Sequence, residues 1–103
     1  MSTQGPMTEA AYYILLALTK PIHGYGMMQR IKELSGGRLA MGPGTLYGVL
    51  TRMNKDGWIE LTENDGRRKS YTITPLGKEA LIAEYNRLKM LVNDGMILEE
   101  GDI

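Results

Sequence analysis

The chain has no cysteine among its 103 residues. Disulfides, thiolate metal sites and cysteine nucleophiles are therefore excluded, and an intracellular, cytoplasmic protein is the easier expectation. A single histidine, His23, cannot build a metal site. No carboxylate pair, nucleophile with a base, metal cluster or phosphate loop emerges, so an enzyme is not expected, nor is a cofactor. The longest uncharged apolar run, Ala10 to Leu18, is far shorter than the ~20 residues of a membrane span, and the N-terminus lacks the basic region of a signal peptide. Net charge is zero as well, which on its face argues against a polyanionic partner.

The charge is unevenly placed, however. Lys20 to Lys78 hold ten Lys+Arg against five Asp+Glu, and the rest of the chain holds two against seven. A basic middle between acidic ends suits a protein with one surface on a polyanion. At this length the chain forms one domain with a small core, and a partner subunit would help to cover it.

Within the basic middle, the segment from Pro43 to Met53 carries the clearest signal. At about 100° per residue, Leu46, Val49, Leu50 and Met53 fall in one sector, while Gly44, Gly48, Thr51 and Lys55 lie opposite with Tyr47 and Arg52 at the edges. The outer face has no acidic residue. Two glycines, a threonine, a tyrosine and two cations suit close approach to a DNA groove, whereas a helix needing only solubility would mix Glu with Lys. A plain surface helix is the alternative.

Ser2 to Pro6 reads as a flexible leader, and residues 1–7 as preceding the domain. Thr8 is an N-cap for a helix to about Thr19. Tyr12, Ile14, Leu15, Leu16 and Leu18 point in every direction, so that helix needs cover from its own domain and from a second subunit. After Pro21, a second helix is expected over Gly24–Ser35 with Tyr25, Met28, Ile31 and Leu34 inward and Arg30 and Lys32 outward. Gly36 and Gly37 stop it. His23 and Tyr25, at the N-terminus of this helix, could meet a phosphate through the helix dipole and free N–H groups, with the core as the favoured place for Tyr25.

Pro43 opens the third helix, which ends at Asp56-Gly57. Two alternating runs then flank the turn signal Asn64-Asp65-Gly66: a β-hairpin, with Ile59 and Leu61 sharing a face with Tyr71 and Ile73 and with Arg67, Arg68 and Lys69 at its tip. Thr74-Pro75 starts a long last helix to about Asn93. There Leu81, Tyr85, Leu88 and Val92 form an apolar stripe, and Ile82, Met90 and Leu91 add hydrophobic surface outside it. One partner surface would not cover all of these. The expected fold is mainly α with a β-hairpin: a winged helix-turn-helix over residues 8–74, a C-terminal dimerisation helix over 75–94 and an acidic tail over 95–103. Tyr12, Leu15, Leu81, Tyr85, Leu88 and Val92 are the expected dimer contacts. A two-fold dimer would present its two recognition helices roughly 34 Å apart to a pseudo-palindromic duplex.

From Ala11 to Leu81 the sequence resembles the PadR family of transcriptional regulators. The resemblance rests on His23-Gly24-Tyr25, on Gly44-Thr45-Leu46-Tyr47, and on Gly66-Arg67-Arg68-Lys69-Ser70-Tyr71 followed by Thr72-Ile73-Thr74-Pro75-Leu76-Gly77. It implies a dimeric winged helix-turn-helix repressor that leaves its double-stranded operator when a small-molecule effector or another signal changes the dimer. It further implies that Thr45, Tyr47 and the exposed positions beside them (Gly48, Thr51, Arg52, Lys55) meet DNA, with Arg67 to Lys69 as the wing contact. Two positions depart from the family pattern: Gly48 stands where proline is frequent, and Ser70 where a second aromatic is. The single last helix resembles the short class of the family, some of whose members hold flat aromatic drugs against a tryptophan on that helix. This chain has its only tryptophan, Trp58, at the start of the wing, where packing is its expected role. Tyr12, Tyr13, Tyr85 and Met90 are the candidate effector contacts, with dimer packing as their alternative use. A winged-helix module that binds protein and never DNA is the competing functional reading.

Overall fold

A computed structural model of the chain describes residues 6–64 and 69–101. Four helices and a small sheet follow the expected order: α1 (Glu9–Ala17), β1 (Ile22–His23), α2 (Gly24–Leu34), α3 (Pro43–Lys55), β2 (Ile59–Asn64), β3 (Lys69–Ile73) and α4 (Pro75–Asp94), which ends in a 3-10 turn, Gly95–Leu98. Local chemistry sets the starts. Thr8 Oγ1 accepts the Ala11 N–H at 3.1 Å, His23 Nδ1 accepts the Gly26 N–H at 3.4 Å, and Thr74 Oγ1 accepts the Gly77 N–H at 3.0 Å. Each thereby satisfies a donor that the first turn of its helix leaves free. α3 lacks a capping side chain and relies on Pro43, whose fixed φ is already helical. α2 stops because Gly36 and Gly37 take φ of 64° and 84°, with the Gly37 N–H returning to the Lys32 carbonyl at 2.8 Å.

The core lies where α1, α2, α3 and the sheet converge. Ile14, Leu15, Leu18, Met27, Ile31, Leu46, Leu50 and Ile59 are fully buried there. β2 and β3 are antiparallel, with Ile59 opposite Ile73 and Leu61 opposite Tyr71, as the alternation predicts; the register slips between Leu61 and Glu63. Trp58 is half-buried against the core, in keeping with a packing role. α4 starts tightly against this unit. Thr74 donates its hydroxyl to the Gly57 carbonyl at 2.6 Å and its N–H to the Trp58 carbonyl at 3.0 Å, and a Cβ on Gly77 would collide with the Trp58 carbonyl.

Several expectations fail in detail. α1 ends at Ala17 rather than Thr19. Tyr25 is 78% exposed and Leu34 is exposed too, because the buried stripe of α2 runs through Gly24, Met27 and Ile31. The docking of Gly24 beneath the Tyr47 ring fixes that rotation. Leu15 and Leu81, expected at a subunit contact, lie in the chain's own core, so no partner can reach them. Met7, placed in the leader, packs against the core instead. Its backbone helps lower the pKa of the Glu84 carboxyl, after the larger effect of the Arg87 guanidinium. β1 was not expected at all: this two-residue strand pairs with β3, giving the sheet order β1-β3-β2.

Candidate nucleic-acid interface

α3 buries Leu46, Leu50 and Met53 and thereby turns its other side outward. Gly44, Thr45, Tyr47, Gly48, Thr51, Arg52 and Lys55 are all exposed on it. The two glycines leave the helix backbone bare. A Cβ at Gly44 or Gly48 would meet no atom of the rest of the protein within 4 Å, so the fold itself does not require glycine at either place. Packing therefore gives no reason for two residues of poor helix propensity one turn apart; close approach of another molecule does.

Thr51 donates its hydroxyl to the Tyr47 carbonyl at 2.8 Å. That bond ties up the hydroxyl proton and leaves both lone pairs of the oxygen, with the methyl group beside it, on an exposed residue. These two groups match an adenine amino donor and a thymine methyl in a major groove. Among the described residues, no carboxylate forms an ion pair with Arg52 or Lys55.

Tyr47 has a structural duty as well. Its ring lies over the backbone of Gly24, where an added Cβ would stand 2.6 Å from Cζ. Burial, followed by the nearby Tyr47 hydroxyl, raises the pKa of Tyr71 on β3. Thus the two short motifs that carried the family resemblance, one at the start of α2 and one at the start of α3, are the two halves of one contact. Periodicity had no means of pairing them.

His23 caps α2 through Nδ1, which accepts the Gly26 N–H and leaves Nε2 as the ring nitrogen outside that bond. The half-buried residue also pairs with Ser70 in the sheet and so stands between α2 and the wing. Lys69 is exposed and pairs with Asn64 at the end of the described hairpin. Arg67 and Arg68 lie outside the described residues. On β2, Glu60 and Glu63 are exposed, so this strand of the wing carries negative charge opposite in sign to Lys69. Sequence reasoning passed over that opposition.

The expected dimer contacts separate into two groups. Tyr85 and Val92 are exposed on α4, at 51% and 70%, and Tyr12 and Leu88 are half-buried between α1 and α4. Beyond them Ile82, Met90, Leu91, Met96, Ile97 and Leu98 are exposed too, a density of large apolar groups unusual for a surface with no partner. Arg38 was missed altogether. It donates to Glu9 at 2.7 Å and to the Tyr13 hydroxyl at 2.9 Å, which pins the connector before α3 to α1 and raises the pKa of Arg38. Among the described residues, no helix is long and apolar enough to cross a membrane.

Comparison with known proteins points the same way. Residues 14–83 match the transcriptional regulator PadR-like family, whose members are regulators rather than enzymes. A transcriptional regulator from Mycobacterium tuberculosis is 35% identical over 81 residues, covering 76% of this chain and 73% of its own length. A 37.1 kDa protein of a Streptomyces fradiae transposon is 37% identical over 94 residues; the match takes in 90% of this chain but spans only 26% of that protein. Among solved structures, Bacillus subtilis PadR in complex with operator DNA is similar with a TM-score of 0.64 and 27% identity, over 77% of this chain and 46% of that one. The observed helices and three-stranded antiparallel sheet are those of a winged helix.

Proposed function

Because the chain belongs to the PadR-like family of transcriptional regulators, we propose that it acts as a homodimer that binds a pseudo-palindromic DNA operator and represses transcription until a signal releases it. The observation that carries this reading is the outer face of α3: bare at Gly44 and Gly48, polar at Thr45 and Thr51, cationic at Arg52 and Lys55, and free of acid. On this reading helix residues choose the sequence, while Lys69, with Arg67 and Arg68, supplies phosphate contacts from the wing. His23 adds a ring nitrogen, Nε2, at the start of α2. Support also comes from the operator complex of the Bacillus subtilis relative.

The dimer reading rests on α4, where Tyr85, Leu88 and Val92 share a stripe and the flanking apolar groups lack cover from their own chain. A small-molecule effector would find Tyr12 and Tyr13 in a shallow groove of about 330 Å³ between α1 and α4, beside Tyr85 on the next turn. Selection of bound sequences from a random duplex pool tests the whole proposal. A symmetric consensus with two half-sites one helical turn apart is expected; a non-palindromic winner overturns the dimer on DNA. The acidic side of the wing, Glu60 and Glu63, favours a second reading, a module that docks on another protein. A folded dimer that fails to shift generic duplex at low salt would decide for it.

A further inference from the structure

A groove of about 530 Å³ runs between the N-terminal end of α1 and the flank of α3. Met7, Ala11, Val49, Met53 and Trp58 give it an apolar floor, Arg52 stands on its wall, and Asp56 lies toward the C-terminal end of α3. None of its lining residues comes from α4 or the turn after it. The end of the chain has the complementary pattern. Met96, Ile97 and Leu98 are 43%, 53% and 56% exposed, and Glu99 and Glu100 follow at once. Three apolar groups and then two carboxylates match an apolar floor with a guanidinium beside it.

A chain's own tail cannot fill its own groove. α4 leaves the domain beside Trp58, passes Met7 at Glu84 and Leu88, and continues unbroken to Asp94. At 1.5 Å per residue, Ile97 lies roughly 13 Å beyond Leu88. We infer that the groove receives residues Met96–Glu100 of a second copy, with Met96, Ile97 and Leu98 on Met7, Val49, Met53 and Trp58 and with Glu99 or Glu100 on Arg52. This rests on the dimer reading above. Because Gly44, Thr45 and Gly48 also line the groove, the partner's residues 96–100 and a duplex compete for this face of α3, and the availability of Arg52 to a phosphate depends on how the two copies are docked.

Two measurements test it. The natural absence of cysteine lets a Thr45→Cys chain with a tag be mixed with an untagged Ile97→Cys chain, without DNA, and joined by a short bis-maleimide. A cross-linked peptide pairing position 45 with position 97 in the dimer fraction is expected. In the unmodified protein Trp58 is the sole tryptophan, so its emission reports on the groove. A chain ending at Asp94 is expected to emit to the red of the full chain wherever light scattering shows dimer, because the partner's tail no longer covers the indole. A dimer with no 45–97 peptide and unchanged Trp58 emission overturns this inference while leaving the dimer intact. A monomer by light scattering overturns the dimer itself, and this inference with it.

Discussion

Replacing Gly48 by alanine separates the demands of the fold from those of DNA. Gly48 sits in the middle of α3 with helical backbone angles, and nothing within 4 Å would touch an added methyl group. With no clash to offset it, Gly48→Ala stabilises the helix by about 0.5–1 kcal/mol, the ordinary difference between the two residues in a helix interior. In a domain of this size 1 kcal/mol moves Tm by about 4–8 °C, so a rise of about 2–8 °C is expected by circular dichroism. If the bare backbone at Gly48 lies against a groove edge, the same methyl displaces the helix and disturbs a direct base contact, at about 1–3 kcal/mol. Fluorescence anisotropy on a selected operator should then show Kd rising roughly 5- to 150-fold. A variant that melts higher and binds as tightly as the parent would falsify the assignment of this face to DNA. The control is Gly24→Ala, whose methyl would run into the Tyr47 ring and displace it, and which is expected to lack the rise in Tm.

The tight start of α4 gives a second outcome: Gly77→Ala forces its Cβ onto the Trp58 carbonyl and should cost about 1–3 kcal/mol in denaturant unfolding, whereas an unchanged midpoint would mean that α4 docks elsewhere. Removing Arg67 and Arg68 together should weaken binding to every duplex and flatten the plot of log affinity against log salt by about one unit per lost phosphate contact; an unchanged slope refutes the wing contact. Glu84, held by Arg87 at 2.6 Å, has its pKa lowered in the folded state. Its contribution is therefore present above the unfolded carboxylate value near 4.5 and lost as pH falls through the lower folded value, so Glu84→Gln should cost more stability at pH 7 than at pH 3, and an equal loss at both would count against the pair. Val92→Glu places a charge on the exposed apolar stripe and should shift the protein toward monomer in light scattering at micromolar concentration; a dimer of undiminished affinity would move the interface off α4.

The helices and the hairpin were legible because local signals agree with the fold at each one. Thr8, Pro43 and Thr74 announce helix starts, Gly36 and Gly37 announce a stop, and the alternation in β2 and β3 fixes which residues face each other. Legibility ended where distant segments meet. Nothing near Ile22 and His23 signals a strand, because two residues become one only when β3 offers its free edge. Tyr25 looks like a core residue by spacing, yet the contact between Gly24 and Tyr47 rotates α2 and leaves it exposed. The stripe on α4 likewise blends two surfaces. Leu81 goes to the chain's own core and Val92 to the outside, although one period connects them. The α3 face was readable because both its buried and its exposed sides lie within one helix.

His23 belongs to two elements at once, capping α2 through its side chain and extending the sheet through its backbone beside Ser70. Gly24, the next residue, is clamped by Tyr47 of α3. Wing strand, positioning helix and reading helix therefore meet at two adjacent residues, His23 and Gly24. On the dimer reading proposed above, a signal received along α4 would act on the span between two such heads, and switching would amount to a change of gauge: two readers set at a separation that no longer matches the helical repeat of the duplex.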